Sequence, residues 1–256
     1  MVNNKSYNFL KSLPGKLNLF YKKKSIKKIT LTNKSSLKSQ FDPVTNLDKS
    51  FETFIRKLIS KKFPDHSIIG EEFNNKISHS DYKWVIDPID GTRAFIIGLP
   101  TWSNLIGLSF MNEPLYGLAN FPELDKFYIN DQKKSYVFIK KKKYILKSSG
   151  NKDIKKIKGV YNLNNKLGKK IKNKLGGLLK QGTFDALNYC LLAEGKLDVV
   201  IEANLKPFDI LPLIPILKKS GAVITTWKND KAENAGNIIA SSNKILHNKI
   251  IKLFKT

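Results

Sequence analysis

Apolar residues recur at helical spacing in the segment TNLDKSFETFIRKLISKKFP, residues 45–64. The positions that share one face of a helix are Leu47, Phe51, Phe54, Leu58 and Ile59. A run with this period buries one side of an amphipathic α-helix. Thr45 and Asn46 are suitable N-cap residues, and Pro64 cannot continue a helix. The pattern predicts a helix that begins near Thr45 and ends before Pro64.

The next apolar runs are short and end in acidic residues. HSIIGEEF (66–73) and KWVIDPIDGT (83–92) each predict a buried strand followed directly by carboxylates. Residues 105–147 are rich in β-branched and aromatic residues, are punctuated by turn sequences, and predict an antiparallel meander. The N-terminal helical pattern is interrupted by Leu-Pro-Gly at residues 13–15.

After Gly150 the pattern changes to alternating strands and helices. Strands are predicted over residues 158–163, 197–203 and 222–227, and helices over a lysine-rich amphipathic segment, residues 183–195 and residues 207–221. The first half is therefore α+β and the second half α/β. Because no repeat or low-complexity linker divides them, we expect one compact unit over residues 1–256, with sub-layers of about 1–148 and 149–256.

Composition places the chain among globular proteins. Its 256 residues, 41% of them hydrophobic, suffice for a substantial core. It has no run of 18 apolar residues and no secretory signal pattern, so we expect no membrane span and a cytoplasmic location. The single cysteine, Cys190, lies in an apolar helical pattern and agrees with a reducing compartment.

The net charge of +25 raises the alternative of a nucleic-acid-binding protein. The basic residues are nearly all lysine, however, and they are scattered along the chain. Arg56 and Arg93 are the only arginines, although arginine is preferred for bidentate contacts to phosphate and bases. We therefore predict no dedicated nucleic-acid partner, although the charge would attract an anionic substrate.

Acidic residues occur at four places where a strand or loop meets a helix. They are Asp48, the pair Glu71 and Glu72, the DPIDGT segment at 87–92, and Asp209. Each has an ordinary alternative explanation. Asp48 and Asp209 could offset a helix dipole, the two glutamates could form a solvated turn, and Asp-Gly is a common hairpin signal.

The DPIDGT segment is harder to explain as a simple turn. Asp87 and Asp90 would repel one another unless they are protonated or bridged by cations. With the Ile89 carbonyl they supply the oxygen ligands that Mg²⁺ prefers, and a pair of such ions can hold the reacting oxygens of a phosphoryl transfer. Gly91 and Thr92 add backbone N–H groups at the start of a helical turn, which suit a phosphate.

These motifs resemble the inositol monophosphatase family of Mg²⁺-dependent phosphomonoesterases. DPVTNLD, GEE, WVIDPIDGT and PFD stand in the order and spacing of that family. Arg-Ala-Phe after the DGT, then Gly-Leu-Pro-Thr-Trp, and Leu-Lys-Pro-Phe-Asp-Ile before the late helix resemble its histidinol-phosphate phosphatase branch. Ser103 and a single glycine in KKSGAV depart from the family pattern, and the lid-like stretch 32–43 at the site entrance is hard to align.

The resemblance implies a set of metal ligands. The first ion would be held by Glu71, Asp87 and the Ile89 carbonyl, and the second by Asp87, Asp90 and Asp209. Glu72 is a candidate for an outer contact or for a third ion. We therefore expect two Mg²⁺ ions, or three if Glu72 takes part.

The resemblance also implies catalytic and substrate-binding residues. Asp48 and Thr92, hydrogen-bonded to each other, would orient the nucleophilic water. The phosphate would rest on the amides of Gly91 and Thr92, with Arg93 as a further substrate contact. Glu202 would face the leaving group, where a carboxylate would suit the histidinol amine. Arg93 could instead pair with a nearby acid, and Glu202 could lie in solvent.

The implied fold is the layered α/β/α/β/α architecture of sugar phosphatases, an α/β protein that is usually a homodimer. The implied reaction is hydrolysis of L-histidinol phosphate to L-histidinol and phosphate. The alternative is an inositol monophosphatase or a broad phosphatase of small alcohol phosphates. A more remote alternative is a non-catalytic basic protein associated with nucleic acid.

Overall fold

The computed structural model describes residues 4–25, 30–33, 43–163, 165–175, 178–182 and 184–254. The helices in these residues are α1 (Asn4–Lys24), α2 (Asn46–Lys62), α3 (Thr92–Ile96), α4 (Asn165–Lys174), α5 (Ala186–Ala193), α6 (Pro207–Ile210), α7 (Leu213–Ser220) and α8 (Lys244–Phe254). The strands are β1 (Leu31–Asn33), β2 (Pro43–Thr45), β3 (Ser67–Gly70), β4 (Tyr82–Asp90), β5 (Ser103–Phe110), β6 (Glu113–Phe121), β7 (Lys126–Asn130), β8 (Ser135–Ile139), β9 (Lys142–Ile145), β10 (Lys158–Asn162), β11 (Leu178–Gln181), β12 (Val199–Leu205), β13 (Val223–Thr226) and β14 (Gly236–Ser241).

The strands form two large sheets and a small ribbon. The seven-stranded sheet has the order β3-β4-β5-β6-β7-β8-β9 and is antiparallel except between β3 and β4. Its strands β5 to β9 follow one another as the predicted meander. The five-stranded sheet has the order β11-β10-β12-β14-β13, in which β11, β10 and β12 are parallel. Strands β1 and β2 pair separately.

Three hydrophobic clusters arrange these elements in layers. One cluster packs α1 and α2 against the outer face of the seven-stranded sheet. A second lies between the two sheets and contains α5, α6 and α7. The third packs α4 and α8 against the far face of the five-stranded sheet. The predicted α/β/α/β/α order is thereby confirmed.

Helix α1 runs through the Leu-Pro-Gly segment, so the expected interruption is wrong. Leu10, Leu13 and Leu17 keep helical spacing across Pro14 and are fully buried. Proline removes one helical hydrogen bond, which costs about 3 kcal/mol in an isolated helix. Burial of three leucines contributes about 1.5–3 kcal/mol each, which outweighs that loss.

The single helix predicted over residues 207–221 is in fact two helices, α6 and α7, which meet at Pro212. The backbone of Pro212 lies against two glycines of the large sheet. A Cβ atom on Gly117 would be 1.7 Å from the Pro212 carbonyl oxygen, and one on Gly107 would be 3.1 Å from its Cα. The break therefore depends on contacts with distant strands, and it leaves Asp209 on its own short helix.

The remaining elements agree in part with the sequence patterns. Helix α2 and strands β3, β4, β10, β12 and β13 lie where they were predicted. The helix predicted over 183–195 is shorter, and β11, β14 and α8 had no sequence-based prediction. Most of the lid-like stretch 32–43 falls outside the described residues. None of the described helices is long and apolar enough to cross a membrane.

Candidate active site

Strand β4 carries the DPIDGT motif at a β-bulge. Asp87 lies opposite Leu105 on β5, whereas Asp90 lies opposite Ser103. Three steps along β4 thus match two steps along β5, so one extra residue is inserted into β4. A bulge bends and twists its strand and changes the direction of side chains. Here it allows both aspartates to line one cavity, although a regular strand would alternate its faces.

Buried asparagines hold this bulge in place. Pro88 has no N–H, and its carbonyl oxygen accepts a hydrogen bond from Asn104 Nδ2 at 2.7 Å. Asn120 Nδ2 donates to Asn104 Oδ1 at 2.9 Å, which fixes the orientation of the Asn104 amide. Both asparagines are fully buried. Ser103 Oγ donates to Asp90 Oδ2 at 3.2 Å, so the partner strand also orients one of the acids.

One cavity of about 440 Å³ collects carboxylates from five parts of the chain. The acids that line it are Glu71, Asp87, Asp90, Asp185, Glu202 and Asp209. Of the other predicted site residues, Ile89, Gly91, Thr92 and Arg93 also line it, and Asp48 does not. The fold therefore gathers the predicted site residues except Asp48 and Glu72, the candidate for an outer contact or a third ion. The roles assigned to them stay predictions.

Burial and mutual repulsion raise the pKa values of the acids. Burial raises the pKa of Asp87 well above its usual value, and the Glu71, Asp90 and Asp209 carboxylates raise it further. Burial, and then the neighbouring Asp185, do the same for Asp90. Burial raises the pKa of Asp209 to about 7, although the Lys206 N–H that bonds its Oδ2 at 2.6 Å opposes the shift.

The donor set fits a hard divalent cation. Asp87 Oδ1 is buried and has no hydrogen-bond partner among the described residues, so it lacks the compensation that a buried carboxylate requires. The acidic side chains of the cavity offer only oxygen atoms as metal ligands, and Mg²⁺ prefers oxygen ligands. Among the described residues, no group of three or more His, Cys, Asp or Glu side chains is arranged so that it could hold a metal ion as it stands.

Asp185 is a lining residue that the sequence patterns did not single out. It was included in a predicted helix, but it immediately precedes α5 with φ +50° and ψ −134°. Such a strained conformation in a residue other than glycine is typical of functional sites. Its carboxylate packs against Gly91, where an added Cβ would lie 2.6 Å from Asp185 Oδ2. Gly91 also has φ +79°, so glycine is required there twice over.

The expected hydrogen bond between Thr92 and Asp48 is not formed. Thr92 Oγ1 donates to the Ile89 carbonyl oxygen at 3.0 Å. Asp48 Oδ2 instead accepts from the backbone and hydroxyl of Thr45 and caps α2. Burial raises the pKa of Asp48, and its Oδ1 has no hydrogen-bond partner among the described residues. The N-terminal cap of α2 thus uses the Asp48 carboxylate that the family resemblance assigns to Thr92.

Glu202 lies midway along β12, the central strand of the five-stranded sheet. It is opposite Asn162 of β10 and Ile238 of β14, where the pairing of β12 becomes irregular. Only 3% of Glu202 is exposed, so the solvent alternative is wrong. It neighbours Tyr189, whose pKa is raised well above its usual value by burial and then by Glu202. Arg93 is exposed at the cavity wall.

The fold and the cluster of acids define a layered α/β protein with a carboxylate-rich cavity suited to a metal and phosphate. A family model described as the inositol monophosphatase family matches residues 16–256. The chain belongs to this family, and the coarse activity that follows is that of a phosphatase.

Particular relatives carry different names. The chain is 32% identical over 228 residues to a fructose-1,6-bisphosphatase/inositol-1-monophosphatase of Aquifex aeolicus, covering 85% of this chain and 84% of that protein. It is 28% identical over 228 residues to a histidinol-phosphatase of Chlorobaculum parvum, covering 82% of each chain. The solved structure of Thermotoga maritima IMPase TM1415 has a TM-score of 0.78 and 25% identity, covering 94% of this chain and 92% of that one.

Proposed function

We propose that the chain is a Mg²⁺-dependent phosphomonoesterase that hydrolyses L-histidinol phosphate to L-histidinol and inorganic phosphate. The observation that carries the proposal is the number of acids in the cavity. Asp185 and Glu202 line it in addition to the four carboxylates assigned to metal. Two Mg²⁺ ions would balance four carboxylates, so the remaining two favour a leaving group with a positive charge. The histidinol amine supplies that charge, whereas inositol has none.

The proposed metal ligands are Glu71, Asp87, the Ile89 carbonyl, Asp90 and Asp209. Bound Mg²⁺ would supply charge neutralisation for the phosphate and would make the attacking water more acidic. The amides of Gly91 and Thr92, together with Arg93, would hold the phosphate oxygens. These contacts would fix the phosphorus in line between the water and the leaving alcohol.

The reaction itself is a single displacement. The water oxygen forms the new P–O bond, the bond to the histidinol oxygen breaks, and the alcohol leaves with a proton. Since the Thr92 hydroxyl donates to the Ile89 carbonyl, its oxygen can accept a hydrogen bond from the water and orient it. Asp48 would support this residue only if its carboxylate leaves the cap of α2.

The test is a comparison of substrates with purified protein and Mg²⁺. We expect kcat/KM for histidinol phosphate to exceed that for inositol phosphate by about 10-fold or more, because one buried charge pair is worth at least one factor of ten. Asp185→Asn should lower kcat/KM for histidinol phosphate and leave that for inositol phosphate within about 2-fold. Equal rates on both substrates would overturn the narrow assignment.

A second candidate is a broad phosphatase of small alcohol phosphates. The 32% identity to the Aquifex aeolicus fructose-1,6-bisphosphatase/inositol-1-monophosphatase favours it. The two candidates differ in one measurable respect. If the protein is a broad phosphatase, Asp185→Asn should change kcat/KM to the same extent for all substrates. The homodimer implied by the family resemblance stays a prediction.

A further inference from the structure

A buried ion pair on α2 lies beneath the loop that carries Glu71. Glu52 is fully buried, and its Oε1 accepts from Arg56 Nε at 2.7 Å. Its Oε2 accepts from the backbone N–H of Glu72 at 2.7 Å. Arg56 Nη2 also donates to the carbonyl of Phe73 at 3.2 Å. The pair therefore contacts the backbone on the far side of Glu71 at two consecutive residues.

The near side of Glu71 is fixed by close packing. A Cβ atom on Gly70 would lie 2.1 Å from Glu52 Oε1, so the carboxylate packs directly against the glycine backbone. Glu71 itself donates its N–H to the Ile86 carbonyl on β4 at 3.2 Å. Glu71 is thus held between Gly70 and Glu72, both of which depend on Glu52. Asp87, whose pKa Glu71 raises, immediately follows Ile86.

This arrangement explains one of the two arginines in a chain with 46 basic residues. A planar guanidinium can donate to a carboxylate through Nε and to a carbonyl through Nη2 at the same time. The lysine ammonium is a single point charge on a flexible stem, so it cannot hold both groups in this geometry. Lysine, which serves at nearly every other basic position, would release the loop here.

We propose that Glu52 and Arg56 are positioning residues that hold Glu71 for metal binding. The inference rests on the proposed role of Glu71 as a metal ligand. Neither residue lines the cavity, and both act through the backbone of residues 70–73. Outer contacts of this kind typically change metal affinity by 10- to 100-fold when they are removed.

The test measures Mg²⁺ binding by calorimetry on the purified full chain, without substrate. We expect Arg56→Lys and Glu52→Gln each to weaken Mg²⁺ affinity by about 10-fold. The Mg²⁺ concentration for half-maximal activity should rise in parallel, while KM at saturating Mg²⁺ stays within about 2-fold. A merely structural role would not produce this split.

Lys126→Met provides a matched control. It removes an ion pair of similar burial, between Lys126 and Glu194, which contacts no residue of the 70–73 loop. It should destabilise the protein to a similar extent but leave Mg²⁺ affinity unchanged. Arg56→Lys keeps the charge and most of the side-chain length, so it decides the matter alone if Glu52→Gln does not fold.

Glu71→Gln separates this inference from the proposed function. If Glu71→Gln leaves Mg²⁺ affinity unchanged, the metal scheme itself is wrong. If Glu71→Gln weakens binding while Arg56→Lys and Glu52→Gln bind as the wild type does, Glu71 is a ligand and the positioning role is overturned. A loss of affinity in Lys126→Met equal to that in Arg56→Lys would also contradict it, since general destabilisation would then suffice.

Discussion

At the scale of single residues, Asp87 combines a proposed role in metal binding with a cost in stability. It is buried among other acids, one of its oxygens has no hydrogen-bond partner among the described residues, and its pKa is raised. A carboxyl with a raised pKa keeps its proton in the folded state at pH values where the unfolded chain has lost it. Without metal, the free energy of unfolding should therefore fall as pH rises from about 4, the ordinary pKa of an aspartate, towards the pKa of about 7 of the folded-state Asp209.

Asp87→Asn tests this cost. The substitution removes a group that must either hold a proton or carry a charge beside other acids in the folded state, so we expect the metal-free protein to gain on the order of 2 kcal/mol at pH 7 and roughly 4–8 °C in Tm. The increase in Tm on adding Mg²⁺ should disappear, together with phosphatase activity. Thermal unfolding at pH 5 and pH 7 measures both effects. A variant that is less stable than the wild type at pH 7 without metal would contradict the repulsion argument.

At the scale of elements, the break between α6 and α7 places Asp209 in the cavity. The break lies where Pro212 packs against Gly107 of β5 and Gly117 of β6. Glycine is otherwise unfavourable inside a strand. The glycines are therefore explained by the close approach of another backbone. Helix α6 carries Asp209 three residues before this contact, so packing there is linked to the site.

Gly117→Ala should disturb this contact. The new Cβ would lie 1.7 Å from the Pro212 carbonyl oxygen, and backbone cannot move aside as a flexible side chain can. We expect a loss of about 3 kcal/mol in the free energy of unfolding and weaker Mg²⁺ binding, measured by urea denaturation and calorimetry. Gly15→Ala in α1 is the control, since nothing lies within 4 Å and alanine should stabilise the helix by about 0.5–1 kcal/mol. Equal effects of both substitutions would refute the packing explanation.

At the scale of the whole molecule, charge is divided between the cavity and the rest of the chain. The net charge is +25, yet six of the 21 acidic residues line one cavity. A phosphate monoester would be attracted by the basic exterior before it meets the acids and their metal. Long-range attraction of this kind is screened by salt, with a Debye length of about 10 Å at 0.1 M.

Salt should therefore lower the association rate of anionic substrates. Between about 20 and 300 mM KCl, at saturating Mg²⁺, we expect kcat/KM to fall about 3-fold or more while kcat changes little. Inositol phosphate should show the steeper dependence, because histidinol phosphate carries a compensating amine. Steady-state kinetics at several salt concentrations give the comparison. A kcat/KM that is independent of salt would mean that the lysine excess has no role in substrate capture.

Local sequence determined much of this protein. The apolar period of 45–64, the alternating runs of the meander and the acids at the ends of β3 and β4 predict elements and most cavity residues, because periodicity and turn chemistry act over a few neighbouring residues. The motifs also identify the family. They identify Asp87, Asp90 and Asp209 as members of one site before any contact is known.

Only the tertiary structure decided the features that join residues far apart in the chain. Asp185 lines the cavity from a strained backbone conformation, and Asp48 caps α2 and does not bond Thr92. The helix breaks at Pro212 because the backbone there packs against two glycines of the large sheet. Glu52 and Arg56 look like an ordinary pair on a helix until the loop around Glu71 folds over them. Each of these features depends on contacts between residues of different layers, and local sequence propensity does not specify such contacts.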